Sequence, residues 1–84
     1  MLDVYLIYRS ITRAQAAEEV LARAGIACSV GRSPARLSPQ GCAYALRLRR
    51  RDLSAASDRL RRAGRLPLSA WQRTAEDAFG RLEL

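Results

Sequence analysis

Apolar side chains occupy both alternating faces of the first segment, Asp3 to Tyr8. Val4, Leu6 and Tyr8 lie on one side, and Tyr5 and Ile7 on the other. A short run that is β-branched, aromatic and apolar on both faces predicts a strand in the middle of a sheet. From Ser10 to Ala24 the period lengthens to that of a helix, with Ala14, Ala17, Val20, Leu21 and Ala24 on one face. Thr12 with Gln15 three residues on fits a capping box, and Gly25 stands where a left-handed cap would end the helix. Ile26 to Val30 predicts a second strand with Ile26, Cys28 and Val30 on one face. Gly31 to Gly41, holding Pro34 and Pro39, reads as a loop that ends in a type I turn over Ser38-Pro39-Gln40-Gly41. Cys42 to Leu48 predicts a third strand, with Cys42, Tyr44, Leu46 and Leu48 facing one way and Ala43, Ala45 and Arg47 the other. Asp52 then caps a second helix, Leu53 to Ala63, whose inner face is Leu53, Ala56, Leu60 and Ala63 and which ends at Gly64. Glu19 with Arg23 and Asp58 with Arg62 are spaced as exposed i,i+4 ion pairs. Leu66 to Ala70 predicts a last strand, and Pro67 points to a sheet edge.

The resulting order, β-α-β-β-α-β, is that of an α+β, ferredoxin-like fold: a four-stranded antiparallel sheet with two helices on one face. Residues 1–70 make up this domain. Residues 71–84 form an amphipathic C-terminal tail, in which Trp71, Ala75, Phe79 and Leu82 share one stripe and predict a tail helix. Two helices on one face leave Tyr5 and Ile7 to be covered, either by the tail packing across the open face or by a homodimer.

The 84 residues suffice for one small domain, and 49% hydrophobic residues supply a core. No apolar stretch nears the roughly 20 residues that cross a bilayer. No secretory pattern opens the chain, so two cysteines imply a reducing cytoplasm. The net charge is +7, and every one of the fifteen cations is arginine. Arg47, Arg49, Arg50 and Arg51, then Arg59, Arg61, Arg62 and Arg65, make a basic stretch suited to an acidic partner or nucleic acid. The strands carry few aromatics and no RNP pattern, so nucleic-acid binding is the lesser reading. There is no histidine, which removes Ser–His and Cys–His nucleophile systems and the usual metal ligand. A zinc site would need Cys28, Cys42 and carboxylates without any CxxC pair. Neither a P-loop nor a GxGxxG occurs. No metal and no cofactor is expected.

The remaining chemistry is thiol chemistry. Cys28, mid-strand on an apolar face, reads as buried and inert. Cys42 follows a proline–glycine turn at a loop–strand junction, where it serves either as a reactive thiol or as a small packing residue. Arg36 and Arg47 are its nearest cations in sequence, and Gly41 precedes it. If Cys42 only packs, the chain is a protein-interaction or regulatory module.

The motifs extend further. Tyr5-Leu6-Ile7 with Arg9-Ser10, then Ala24-Gly25-Ile26, Pro34 and Ser38, Cys42-Ala43-Tyr44-Ala45-Leu46-Arg47, and Ala63-Gly64 follow one another in a fixed order. Over residues 4–70 this pattern resembles the small selenium/sulfur carrier-like proteins, whose motif is Cys-Gly-x-Ala-Leu-Arg. The chain departs from it at Ala43, where the family has glycine. The resemblance implies a carrier more than a turnover enzyme. Cys42 would hold a persulfide or perselenide, and Arg36, Arg47 and Gly41 would stabilise the cargo. A cysteine desulfurase or a sulfurtransferase-like protein would be the partner.

Overall fold

The computed structural model describes residues 2–37, 43–76 and 78–84. Strand β1 (Val4–Tyr8) is buried at every position, as its doubly apolar pattern requires. It pairs antiparallel with β3 (Tyr44–Leu48) on one side and with β4 (Ser69–Ala75) on the other. β2 (Cys28–Arg32) pairs antiparallel with β3, and β5 (Ala78–Leu82) with β4, giving a five-stranded sheet of order β2-β3-β1-β4-β5.

Helix α1 (Ile11–Arg23) and helix α2 (Leu53–Arg62) cover one face of this sheet. Ala14, Ala17 and Leu21 of α1 and Leu53, Ala56 and Leu60 of α2 close a core over Val4, Leu6, Tyr8, Leu46, Leu48 and Ala70. Leu6, Leu21, Leu46, Leu48 and Leu60 are fully buried, each contributing about 1.5–3 kcal/mol of transfer free energy. Alanines at the contact positions of α1 let the helix lie close to the sheet, so the small residues are as much a part of the pattern as the leucines. No helix among the described residues is long and apolar enough to cross a membrane.

Both helices end as their glycines predict. Gly25 (φ 76°) and Gly64 (φ 69°) adopt the left-handed conformation. The following amides turn back, Ile26 N–H donating to the Leu21 carbonyl at 2.9 Å and Arg65 N–H to the Leu60 carbonyl at 2.8 Å. A Cβ at either glycine would meet open space, so alanine there suffers conformational strain alone. Gly64→Ala is expected to lose about 1–2 kcal/mol of unfolding free energy in denaturant titration. A loss below a few tenths would refute the left-handed cap. The two i,i+4 pairs also form, Arg23 to Glu19 at 2.8 Å and Arg62 to Asp58 at 3.3 Å.

Several expectations need correction. The sheet has five strands instead of four, and the tail is not a helix. Ser69–Ala75 and Ala78–Leu82 form a β-hairpin, in which Trp71 faces Arg81 and Arg73 faces Phe79 across the ladder. Trp71, Ala75, Phe79 and Leu82 satisfy a helical stripe by spacing, yet Trp71 and Phe79 also share a sheet face, and pairing with β1 decides between the two. The last strand of the domain therefore starts at Ser69 rather than Leu66. It lies inside the sheet, and Pro67 falls in the preceding loop. The cap of α1 is Ser10, whose Oγ accepts from Arg13 N–H at 3.2 Å, in place of the Thr12–Gln15 box. Asp52 stands before α2 but makes no side-chain cap bond, because a 3-10 turn, Arg50–Asp52, leads into the helix.

Tyr5 and Ile7, on the face without helices, are covered within the chain. They form a second cluster with Ala45, against which Leu37, Ala43, Trp71 and Phe79 pack. The Tyr5 and Phe79 rings meet edge-to-face at 5.3 Å between centroids.

Candidate functional site

Antiparallel pairing brings one end of each strand to a common pole. Tyr8, the last residue of β1, faces Tyr44, the first of β3, and Tyr44 faces Arg32, the last of β2. At the same pole Leu68 N–H donates to the Ile7 carbonyl at 2.8 Å as the chain enters β4. Helix α1 starts here from β1, and α2, which leaves the far end of β3, returns its C-terminus here. The turn Ser38–Gly41 and the residues Gly41 and Cys42 lie outside the described residues. Their flanks are described. Leu37 closes a 3-10 turn, Ala35–Leu37, and Ala43 accepts a hydrogen bond from Ser33 N–H at 3.1 Å. Both flanks pack on the cluster of Tyr5, Ile7 and Ala45. The methyl of Ala43, which stands where the motif has glycine, is thus half-buried in apolar contact.

Arg36, on that 3-10 turn, is exposed. Arg47 is engaged elsewhere. It follows Ala43 by four residues, about 13 Å along an extended strand. Its guanidinium lies 5.1 Å from the Tyr5 ring centroid, and Nη2 donates to the Leu2 carbonyl at 3.5 Å. Its Nε is buried without a hydrogen-bond partner among the described residues. Tyr5 therefore holds Arg47 flat against the sheet by a cation–π contact and shields it from water.

Cys28 carries a free thiol in β2, half-buried against the helix-side core. Burial, and secondarily the negative charge of Glu18, push its pKa above the ordinary thiol value. The thiolate is the nucleophile, so Cys28 stays protonated and slow at neutral pH. Alkylation of Cys28 by iodoacetamide, followed by peptide mass spectrometry, is expected to accelerate only above the pH range of a free thiol. Glu18→Gln should move that onset slightly downward. Rapid labelling at pH 7 would contradict the assignment.

Sequence reasoning missed a second group at this pole. Tyr8, Arg9, Arg13, Gly64, Arg65, Leu66 and Leu68 line a cleft of about 110 Å³. Burial pushes the Tyr8 phenol well above its ordinary pKa, so it remains a donor, giving its proton to the Arg65 carbonyl at 2.7 Å. The three arginines are far apart in sequence, on the β1–α1 junction, the first turn of α1 and the exit from α2. The signal that finds them is topological: in an antiparallel sheet with returning helices, these connections share the end at which β3 begins.

Neither a curated protein nor a solved structure matches the chain. One family model, described as "Putative Se/S carrier protein-like", matches residues 3–72. That span takes in β1 to the middle of β4, the sequence position of Cys42 and the whole pole described above. The match covers most of the 84 residues, and the protein belongs to this Se/S carrier protein-like family.

Proposed function

We propose that the protein carries sulfur or selenium on Cys42 as a persulfide or perselenide. The observation that supports this most directly is the family match, which runs through the Cys42 motif. Loading is a thiol exchange. The Cys42 thiolate attacks the terminal sulfane atom of a persulfide on a donor protein. The bond between that atom and the donor sulfur breaks, and the donor leaves as a thiolate. One S–S bond replaces another, so no external oxidant or reductant is consumed. Unloading repeats the exchange on an acceptor thiol. No histidine is required, which suits a chain that has none.

In this reading Arg36 and Gly41, on the segment leading to the thiol, accommodate the anionic cargo. Arg47, already held by Tyr5, stiffens β3, the strand that follows the thiol in sequence, and adds positive potential. The donor is a cysteine desulfurase-type protein, the acceptor a sulfurtransferase-like one, and the setting a reducing cytoplasm that keeps Cys42 a thiol. We also take the first four strands with the two helices as a ferredoxin-like unit. The order β2-β3-β1-β4 and the placement of both helices on one face support this.

The test is mass spectrometry of the intact protein after incubation with a cysteine desulfurase and cysteine. A gain of about 32 Da, removed by dithiothreitol and mapped to the Cys42 peptide, is the expected result. A protein that stays at its own mass while the desulfurase turns over would sink the proposal.

A further inference from the structure

We propose that the cleft between Arg9, Arg13 and Arg65 binds a small tetrahedral oxyanion of the phosphate type, free or as the terminal group of a small molecule. Three arginines from three separate stretches of the chain line one concavity, while no carboxylate lines it among the described residues. None of the three forms an ion pair among those residues, in contrast to Arg23 and Arg62 on the outer faces of the helices. Like charges gathered without compensation repel one another, and an anion between them removes the repulsion. Each guanidinium offers a planar fork of donors that matches phosphate oxygens.

The cleft is a shaped concavity on an exposed basic face. The buried Tyr8 and the more exposed Leu66 and Leu68 share its lining. The backbone that carries Arg65 is tied at both ends of its peptide units. Its N–H donates to the Leu60 carbonyl at 2.8 Å and its carbonyl accepts from Tyr8 Oη at 2.7 Å. Arg13 N–H is fixed by Ser10 Oγ. The cleft's about 110 Å³ is on the scale of a tetrahedral oxyanion with its first waters.

Its position adds a purpose. The cleft opens at the sheet end where β3 begins, the end from which the Cys42 segment departs. An oxyanion there would hold a small-molecule partner at the end of the sheet where β3 begins. That purpose rests on the carrier reading; the binding of the anion does not.

The experiment is a titration of the full, ¹⁵N-labelled chain with inorganic phosphate and, separately, with glycerol phosphate, against sodium chloride at matched ionic strength. Saturable amide shifts confined to Arg9, Arg13, Gly64 and Arg65 are expected. Arg13→Gln and Arg65→Gln, both exposed positions, should each weaken binding on the order of tenfold. The pair Arg50→Gln and Arg51→Gln, at the opposite end of β3, should leave it unchanged, and so should Cys42→Ser. Phosphate should also raise the melting temperature of the wild type and not of Arg65→Gln. Saturation by both compounds identifies a terminal phosphate as acceptable, and saturation by inorganic phosphate alone identifies the free anion. Shifts that chloride reproduces, or an equal loss in the Arg50/Arg51 variant, overturn the proposal. Intact phosphate binding with no sulfur on Cys42 would instead refute the carrier reading and leave the anion site standing.

Discussion

Cys42→Ser is expected to lose the entire sulfur load, with the gain of about 32 Da absent at any desulfurase concentration. Cys28→Ser should load like the wild type. The contrast comes from what each position provides. A serine hydroxyl is not deprotonated near neutral pH and is a poor nucleophile toward sulfane sulfur, so the exchange has no first step. Cys28 keeps its sulfur but cannot substitute, because burial and Glu18 hold it as the thiol. It also pairs across the ladder with Leu48, at the far end of β3 from Ala43. The double variant separates the remaining possibilities: a load that persists in Cys42→Ser and vanishes only when Cys28 is also replaced would move the acceptor to Cys28. Intact-mass spectra of the four proteins, with and without dithiothreitol, decide the matter.

Much of this arrangement is legible in the sequence, and the exceptions have physical causes. β1 was readable because both of its faces are apolar, which few structures other than a central strand accommodate. The ends of both helices were readable because Ala24-Gly25 and Ala63-Gly64 place glycine where only a left-handed residue fits. The tail reads as a helix because its four apolar residues suit either period. The choice is made by a partner, the open edge of β1, that local spacing does not contain. The Thr12–Gln15 box failed for a smaller reason: Ser10, two residues earlier, satisfies the Arg13 amide first. At the candidate site, Cys42 stands out by residue type alone. The Arg9, Arg13 and Arg65 cleft does not, because its members become neighbours only when α2 returns to the pole where α1 begins.

The corrected tail carries the second large effect. A chain ending at Glu76 is expected to lose about 2–4 kcal/mol of unfolding free energy, against a total of roughly 4–13 kcal/mol for a domain of this size. The truncation removes the β4–β5 ladder and takes Phe79 from the Tyr5 ring. It also takes Arg81 from the Trp71 ring, over which the guanidinium lies at 5.6 Å. Tyr5 and Trp71 then face solvent, and β4, with its backbone donors and acceptors unpaired, becomes an edge. Two outcomes follow from the exposed edge. The melting temperature should fall by about 10 °C or more, since each kcal/mol moves a domain of this length by roughly 4–8 °C. The truncated chain should also self-associate in sedimentation, where the intact tail covers this surface within one chain. Phe79→Ala isolates the packing from the pairing. It keeps the ladder and should lose about 1–2 kcal/mol, because Phe79 is only half-buried. If the truncation melted with the wild type, the hairpin would be an appendage and the cover over Tyr5 and Ile7 would have to come from elsewhere. If Phe79→Ala lost as much as the whole truncation, the ring and not the ladder would hold the tail in place.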